Sequence, residues 1–372
     1  MSKHSHDHSI YEPRPLDGGA IRVALSGLGR AGWNIHAKAL SVMQGGFTIV
    51  AAADPDLDRR EEAKQTLGCE TFETYAEMLA NSDAELFVIA SPSHLHTEQA
   101  LAALESNRHV VCEKPFARSA DEAEAMIEAA RSHKRIIAPF QNRRFEAHYR
   151  KVQEIVQSGE LGELLQIRMC WHRFTRRWDW QAMRQFGGGA LFNNGTHLLD
   201  QALALMSDSE PEIFIDLRRG LSLGDAEEHM KLILRDPAGP TIDIEYTNAS
   251  AFEQDRWHIM GTAGGLKGNP DHLEWKTVDW ATMPERPLDP GPAEDRLYPS
   301  EEINWQPHSW MPDASAKHPY QLLYENVHDA ICNGASLVVT PESAVRYMRI
   351  VERCSERIPE LVQTKGQSCF RV

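Results

Sequence analysis

The chain reads as a two-part α/β protein, with a doubly wound parallel sheet first and a second domain on an open, mainly antiparallel sheet after it. Three observations predict this. From Ile21 to about residue 140, short and nearly continuous apolar runs alternate with helical patterns, the mark of parallel strands covered on both faces. A glycine-rich turn joins the first apolar run to the first helix. Beyond Asn142, strand-like runs succeed one another with few helices between them.

Each element of the first part follows from local pattern. Ile21 to Ser26 reads as a strand, Ala31 to Met43 as a helix, and Phe47 to Ala53 as the second strand. A charged helix covers Leu57 to Leu67, and Leu86 to Ala90 is a strand leading to a helix over Leu95 to Glu105. His109 to Cys112 and Ile136 to Ala138 are two further strands. Between them, Ser119-Ala-Asp-Glu122 carries a capping-box signature ahead of an alanine-rich helix. In the second part, Tyr149 to Gln157 reads as a helix ended by Ser158-Gly159. Leu164 to Trp171, Glu212 to Asp216, Met230 to Leu234, Thr241 to Tyr246 and Trp257 to Met260 read as strands. Asn269 to His318, rich in Pro, Asp and Glu, is expected to be a long loop, and Thr340-Pro341 to start a helix. The expected division is a tail over 1–20, a dinucleotide-binding domain over 21–142, and a substrate and assembly domain over 143–372.

The 372 residues exceed one ordinary domain, and 42% hydrophobic with 25% charged residues excludes a disordered or fibrous chain. With 39 basic against 54 acidic residues the net charge is −15, which repels phosphate backbones and argues against a nucleic-acid partner. No apolar run nears the ~20 residues of a membrane span, and the polar start lacks the apolar middle of a secretory leader. Cys69, Cys112, Cys170, Cys332, Cys354 and Cys369 form no CxxC pair and read as reduced thiols of a cytoplasmic protein. His4, His6 and His8 read as a solvated tail, and no set with metal-ligand spacing emerges.

Gly27-Leu28-Gly29-Arg30-Ala31-Gly32 is placed to cradle a pyrophosphate. Gly27 permits the tight turn, Gly29 lets the backbone approach the ligand, Gly32 allows close helix–strand packing, and the helix N-terminus faces the phosphates. Asp54, at the end of the second strand, is positioned to accept from both ribose hydroxyls and to repel a 2′-phosphate, which favours NAD over NADP. The alternative is that Asp54 caps the following helix.

Glu113-Lys114-Pro115 ends a strand, where a doubly wound sheet opens its ligand crevice, and partial desolvation there lowers a lysine toward a range useful for proton transfer. The competing reading is a surface-turn lysine paired with Glu113. Glycines 187–189 lead into a helix bearing Asn193, His197 and Asp200, and four-residue spacing puts Asn193 and His197 on one face. Between Cys170 and Gln185, Trp171, His172, Arg173, Arg176, Arg177, Trp178, Trp180, Gln181 and Arg184 suit the apolar faces and the hydroxyls or carboxylate of a sugar, or else form a loop packing its Trp residues under the sheet.

Taken in order, Gly27 to Gly32, Ser91-Pro92-Ser93-His94-Leu95-His96, Glu113-Lys114-Pro115, Asn142-Arg143-Arg144-Phe145 and Gly187 to Asp200 resemble the Gfo/Idh/MocA oxidoreductase family of glucose–fructose oxidoreductase and inositol dehydrogenase. The resemblance implies an N-terminal Rossmann domain binding NAD(P), a C-terminal α/β domain on an open sheet used for homodimer or homotetramer contacts, and a sugar or polyol substrate. It implies Lys114 and His197 as catalytic with Asn193 beside them, and Ser91, Ser93, His96 and Glu113 along the cofactor. Arg143, Asn193 and His197 fall on the substrate side, joined by Trp178 from the aromatic and basic segment. Two positions depart from the family pattern: Ser93 stands where asparagine is usual, and Asn193 where the family carries aspartate. An asparagine holds the imidazole without stabilising its charged form, so either His197 or Lys114 is the base. The expected activity is hydride transfer between NAD(P) and a secondary alcohol or ketone of a sugar, cyclitol or glycoside. The alternatives are an NAD-dependent glycoside hydrolase working by transient oxidation, and a non-catalytic NAD-binding regulator.

Overall fold

A computed structural model of the chain describes residues 19–43, 45–291, 298 and 300–356. Residues 1–18 of the expected tail, with the His4, His6 and His8 tract, and Cys369 lie outside the described residues.

Six strands form the first sheet: β1 (Ile21–Ser26), β2 (Phe47–Ala53), β3 (Glu70–Phe72), β4 (Leu86–Ile89), β5 (His109–Cys112) and β6 (Ile137–Pro139). Their order is β3-β2-β1-β4-β5-β6, and every pairing is parallel. The strand order reverses between β1 and β4, so a crevice opens beyond their C-terminal ends. Gly27 and Glu113 follow directly on β1 and β5, and Ser91 follows β4 after Ala90, which brings three separate sequence segments to one edge.

Most expected elements are present, and the exceptions are instructive. The first helix opens with wide π-type turns over Gly32–Ala37 and continues as α1 (Lys38–Ser41), stopping short of Met43. β3 and α3 (Tyr75–Asn81) were not foreseen, although Thr74 and Glu77 form a complete capping box at that helix start. At α5 (Ala120–Ser132) only half the foreseen box forms. Ser119 accepts from the Glu122 N–H, while the Glu122 carboxylate turns to the Thr97 hydroxyl at 2.8 Å and to Arg118.

The second sheet has eight strands in the order β14-β13-β12-β11-β7-β10-β9-β8. They are β7 (Leu164–His172), β8 (Glu212–Arg218), β9 (His229–Arg235), β10 (Thr241–Thr247), β11 (Trp257–Gly261), β12 (Gly264–Asn269), β13 (His272–Thr277) and β14 (Gln306–Trp310). Every pairing is antiparallel except β7 with β10. The expected loop from Asn269 to His318 is therefore wrong in part, since it contains β13 and β14. Leu273 and Trp275 alternate with exposed Glu274 and Lys276 there, a period-two signal hidden by the polar composition around it.

One face of this sheet packs Ile167, Met169, Leu232 and Ile244 against α6 (Ala147–Ser158) and α7 (Thr196–Leu203) in a core continuous with the first domain. Two late helices complete the first domain. α8 (Pro319–Asn333) buries Leu323, Tyr324, Val327 and Ile331 against Val23, Leu25 and Phe47, each burial gaining about 1.5–3 kcal/mol of hydrophobic transfer. α9 (Pro341–Ser355), capped by Thr340, lies on α5 and α7. No helix among the described residues is long and apolar enough to cross a membrane.

Candidate active site

The turn after β1 is forced by its glycines. Gly27 sits at φ +89°, and a Cβ there would fall 2.7 Å from the Ala90 oxygen. A Cβ on Gly32 would lie 1.8 Å from the Gly27 oxygen, whereas one on Gly29 would meet nothing within 4 Å. Gly27 and Gly32 thus serve close packing, and Gly29 leaves open space against the backbone. Leu28 is buried, its N–H donating to Asp54 Oδ2 at 2.8 Å, while Ala31 is half-buried and the Arg30 side chain is exposed. Asp54 is 5% exposed and its second oxygen accepts from the Asp56 N–H at 3.0 Å. Asp56, not Asp54, caps α2 (Leu57–Leu67), so the helix-cap alternative for Asp54 falls. Arg59 lies 3.5 Å from Asp54 Oδ2, and Arg60 donates to the backbone oxygens of Asp54 and Pro55. An open cradle beside a fixed carboxylate fits a dinucleotide, which Gly29 and Asp54 could hold.

The loop after β4 is tied by a residue that sequence reasoning missed. Gln99 Oε1 accepts from both the Ser26 and Ser91 hydroxyls at 2.9 Å, joining the ends of β1 and β4. The Ser93 side chain faces Gly187 of the opposite domain. His96 is 1% exposed, and its ring nitrogens lie 2.8 Å from the Pro115 oxygen and 3.0 Å from the Ser91 oxygen. Its ring is occupied by the backbone and braces the Ser91 and Lys114 turns against each other.

β5 is followed by Glu113-Lys114-Pro115, with a cis bond before Pro115. Glu113 is buried, accepts the Lys114 N–H at 2.9 Å and accepts from His36 Nε2 at 3.2 Å. The Tyr324 hydroxyl, from α8, donates to His36 Nδ1 at 2.7 Å. His36 and Tyr324 gave no signal as site residues, because they meet only through the return of α8. The Lys114 side chain crosses the crevice, and Nζ donates to Asn193 Oδ1 at 2.7 Å. Burial lowers the Lys114 ammonium from its ordinary value; Glu113 opposes the fall, and Arg143, Arg30 and Arg177 add to it.

The helix facing Lys114 begins with wide turns over Leu191–Gly195 and continues as α7. Its start is held by Glu227, another residue without a sequence signal, whose Oε1 accepts the Leu191 N–H at 3.0 Å. The glycine run makes room for that contact. A Cβ on Gly189, at φ +115°, would lie 2.4 Å from the Glu227 carboxylate, and one on Gly188 would lie 2.4 Å from the Gln181 oxygen.

Asn193 does not hold the imidazole of His197, contrary to the expectation. Its oxygen accepts from Lys114 and its amide donates to Gln181 Oε1 at 3.2 Å. The ring is held from the other domain: His197 Nδ1 donates to Gln141 Oε1 at 2.6 Å, which leaves the Nε2 lone pair free of that bond. Burial drives His197 well below its ordinary pKa, and Lys114, Arg143 and Arg256 drive it further. Asp200 points away to Arg144 at 3.7 Å, and burial pushes its carboxyl up to about 6.

Arg143 pairs with Glu146 and stacks on Trp171, with the guanidinium 4.2 Å from the ring centroid. Trp178 is 75% exposed and Trp180 is also exposed, so the reading of rings packed beneath the sheet fails for these two, whereas Trp171 is half-buried against the core. No cluster of metal-ligating side chains occurs among the described residues.

Two family models match the chain. Residues 21–140 match the Gfo/Idh/MocA oxidoreductase family, NAD-binding Rossmann fold, and residues 149–267 match the Gfo/Idh/MocA C-terminal domain. Inositol 2-dehydrogenase 3 of Saccharopolyspora erythraea is 32% identical over 251 residues, covering 66% of this chain and 72% of that one. The NADP-dependent scyllo-inositol 2-dehydrogenase IolW of Bacillus subtilis is 24% identical, covering 91% and 94%. Among solved structures, an NAD-binding protein from Listeria innocua superposes with a TM-score of 0.76 at 24% identity, covering 93% of this chain and all of that one.

Proposed function

The chain belongs to the Gfo/Idh/MocA oxidoreductase family, and from that premise we propose that it is an NAD-dependent dehydrogenase of a secondary alcohol on a sugar or cyclitol. The observation that carries the reading is the meeting of Lys114 and Asn193, 79 positions apart, across the mouth of a glycine cradle. Gly27 to Gly32, Asp54, Ser91, Ser93 and Glu113 shape the cofactor side of that mouth, and the bound nicotinamide supplies the hydride acceptor. The Asp54 carboxylate favours NAD, and the Arg59 guanidinium beside it tempers that preference without reversing it.

Lys114 takes the hydroxyl proton. Its lowered pKa raises the neutral fraction near working pH, and Asn193 Oδ1 aims Nζ. His197 stays neutral, because an imidazolium there would sit among Lys114, Arg143 and Arg256 with no carboxylate at position 193 to offset them. Its Nε2 accepts instead from a neighbouring hydroxyl, which suits a vicinal diol. Once protonated, Lys114 stabilises the charge remaining on oxygen. Residues 21–142, closed by α8 and α9, hold the dinucleotide, and the second sheet with α6 and α7 presents the substrate. The uncovered sheet face, with Phe214 and Met260 exposed on it, suits contact with further copies in a homodimer or homotetramer. No disulfide joins the described cysteines, in keeping with a cytoplasmic setting.

The test is NADH formation at 340 nm across cyclitols, sugars and sugar acids with each cofactor. Turnover with NAD on at least one secondary alcohol is expected. Cleavage of nitrophenyl glycosides without net NADH would replace the reading with transient oxidation, and no turnover at all would leave a binding role.

A further inference from the structure

Three guanidinium groups crowd one indole on the wall opposite the cofactor cradle. Arg143 stands 4.2 Å, Arg256 4.9 Å and Arg173 5.1 Å from the centroid of the Trp171 ring. Trp171 meets Tyr246 edge-on at 5.8 Å, and the Tyr246 hydroxyl accepts from Asn194, the neighbour of Asn193. The cluster therefore adjoins the reacting groups rather than lying on a remote surface.

Carboxylates do not match this charge. Glu146 pairs with Arg143 and lowers the repulsion on Arg256, but it also accepts from His148 Nε2 at 3.0 Å. Arg173 makes no ion pair or hydrogen bond through its side chain to a carboxylate among the described residues. The Arg143 Nε is buried without a hydrogen-bond partner. Arg177, paired with Asp179, lines a small cavity together with Gln181, Asn193 and Tyr246. Like charges held this close favour an anion among them, and planar guanidinium forks match the oxygens of a carboxylate or phosphate. The cofactor's own phosphates do not account for the cluster, because their cradle is at Gly27 to Gly32 with Arg30 on the other domain.

We infer that the substrate is an acidic sugar: a polyhydroxylated ring whose carboxylate or phosphate rests between Arg143, Arg173 and Arg177 while its hydroxyl meets Lys114. The inference rests on the dehydrogenase reading for the position of the reacting hydroxyl. The exposed Trp178 ring at the rim offers an apolar face for the pyranose. Arg173 is the specificity group, since its charge has no internal counterpart.

Calorimetric titration of the full chain saturated with NAD+ separates the two ideas. The probes are D-glucuronate for a carboxylate, glucose 6-phosphate for a phosphate, and D-glucose with myo-inositol as neutral counterparts. One acidic probe is expected to bind at least about tenfold more tightly than the neutral ones, as a charge-assisted contact predicts. Arg173→Gln should erase most of that ratio, Arg173→Lys should restore part of it, and NAD+ affinity should hold in both. Whichever acid responds identifies the oxyanion. Equal or tighter binding of neutral probes, no binding of any probe, or an unchanged ratio in Arg173→Gln overturns the inference. Turnover read separately at 340 nm keeps the premises apart. Oxidation of neutral polyols without acid preference leaves the dehydrogenase and removes the acidic substrate, whereas selective acid binding without any NADH does the reverse.

Discussion

On the N-terminal side of the crevice, recognition is built into a few consecutive residues: Gly27 to Gly32 turn, pack and open a space with almost no side chains involved. Across the crevice and on its C-terminal side, each reacting side chain or its helix is held by a side chain from a distant segment. His197 is held by Gln141, 56 positions away; Lys114 by Asn193, 79 away; and the start of the His197 helix by Glu227. The first wall is steric and backbone-made, so it tolerates little change and needs few partners. The second is a hydrogen-bonded lattice between domains, in which charge can be adjusted one residue at a time.

That contrast can be broken or sharpened by substitution. The largest effect is expected at the reacting amine, where Lys114→Ala should cut turnover by about 10²–10⁴, the usual range for a lost acid–base group, with NAD binding nearly intact. Steady-state rates beside a cofactor titration would check it, and near-normal turnover would remove the lysine from the chemistry. Next is the steric wall. Gly32→Val has no room beside the Gly27 oxygen and should cost about 3 kcal/mol or more of stability and abolish dinucleotide binding, read by thermal melts with and without NAD. Asp54→Asn should raise the NAD dissociation constant about tenfold or more and narrow the gap to NADP, as losing charged acceptance of hydroxyls implies.

Smaller effects probe the lattice. Gln141→Leu leaves the His197 Nδ1–H without its acceptor, and should lower turnover about tenfold, equivalent to roughly 1.4 kcal/mol of lost positioning. A loss confined to stability, with kcat unchanged, would make that bond structural only. The smallest change is a shift in pH dependence with a definite sign. Asn193→Asp puts a carboxylate at Nζ, favours the ammonium and should move the acid limb of log kcat/KM for oxidation up by about one pH unit. Glu113→Gln removes the group that opposes the lowering of Lys114, and the limb should move down. Shifts of the same sign in both variants would show that the limb belongs to another group.

The same contrast explains what could be read from the chain. The cradle, the parallel sheet and Asp54 were legible because glycine spacing and strand period are local signals. Lys114 and His197 could be singled out as candidates for the same reason, each lying in a dense short motif. Gln141 and Glu227 were not, since nothing near them in sequence marks a residue whose partner is fixed by tertiary packing. Asn193 was read with the wrong partner: helical spacing pointed it at His197, but the wide turns over Leu191–Gly195 alter the four-residue geometry and leave its oxygen to Lys114. β13 and β14 were lost because a proline- and acid-rich composition masked a short alternation.

The contact of Tyr324 with His36 has a consequence for how the protein could be divided. α8 belongs to the last sixty residues, yet it seals Leu25 and Phe47 and joins the hydrogen-bonded line that reaches Glu113 beneath the reacting amine. A fragment ending near Asn142 would keep every glycine of the cradle and still present a greasy, unfinished flank. The nucleotide half is therefore not a cartridge that can be cut out or exchanged between relatives at the obvious seam, and any chimera would have to carry its distant closing helix along with it.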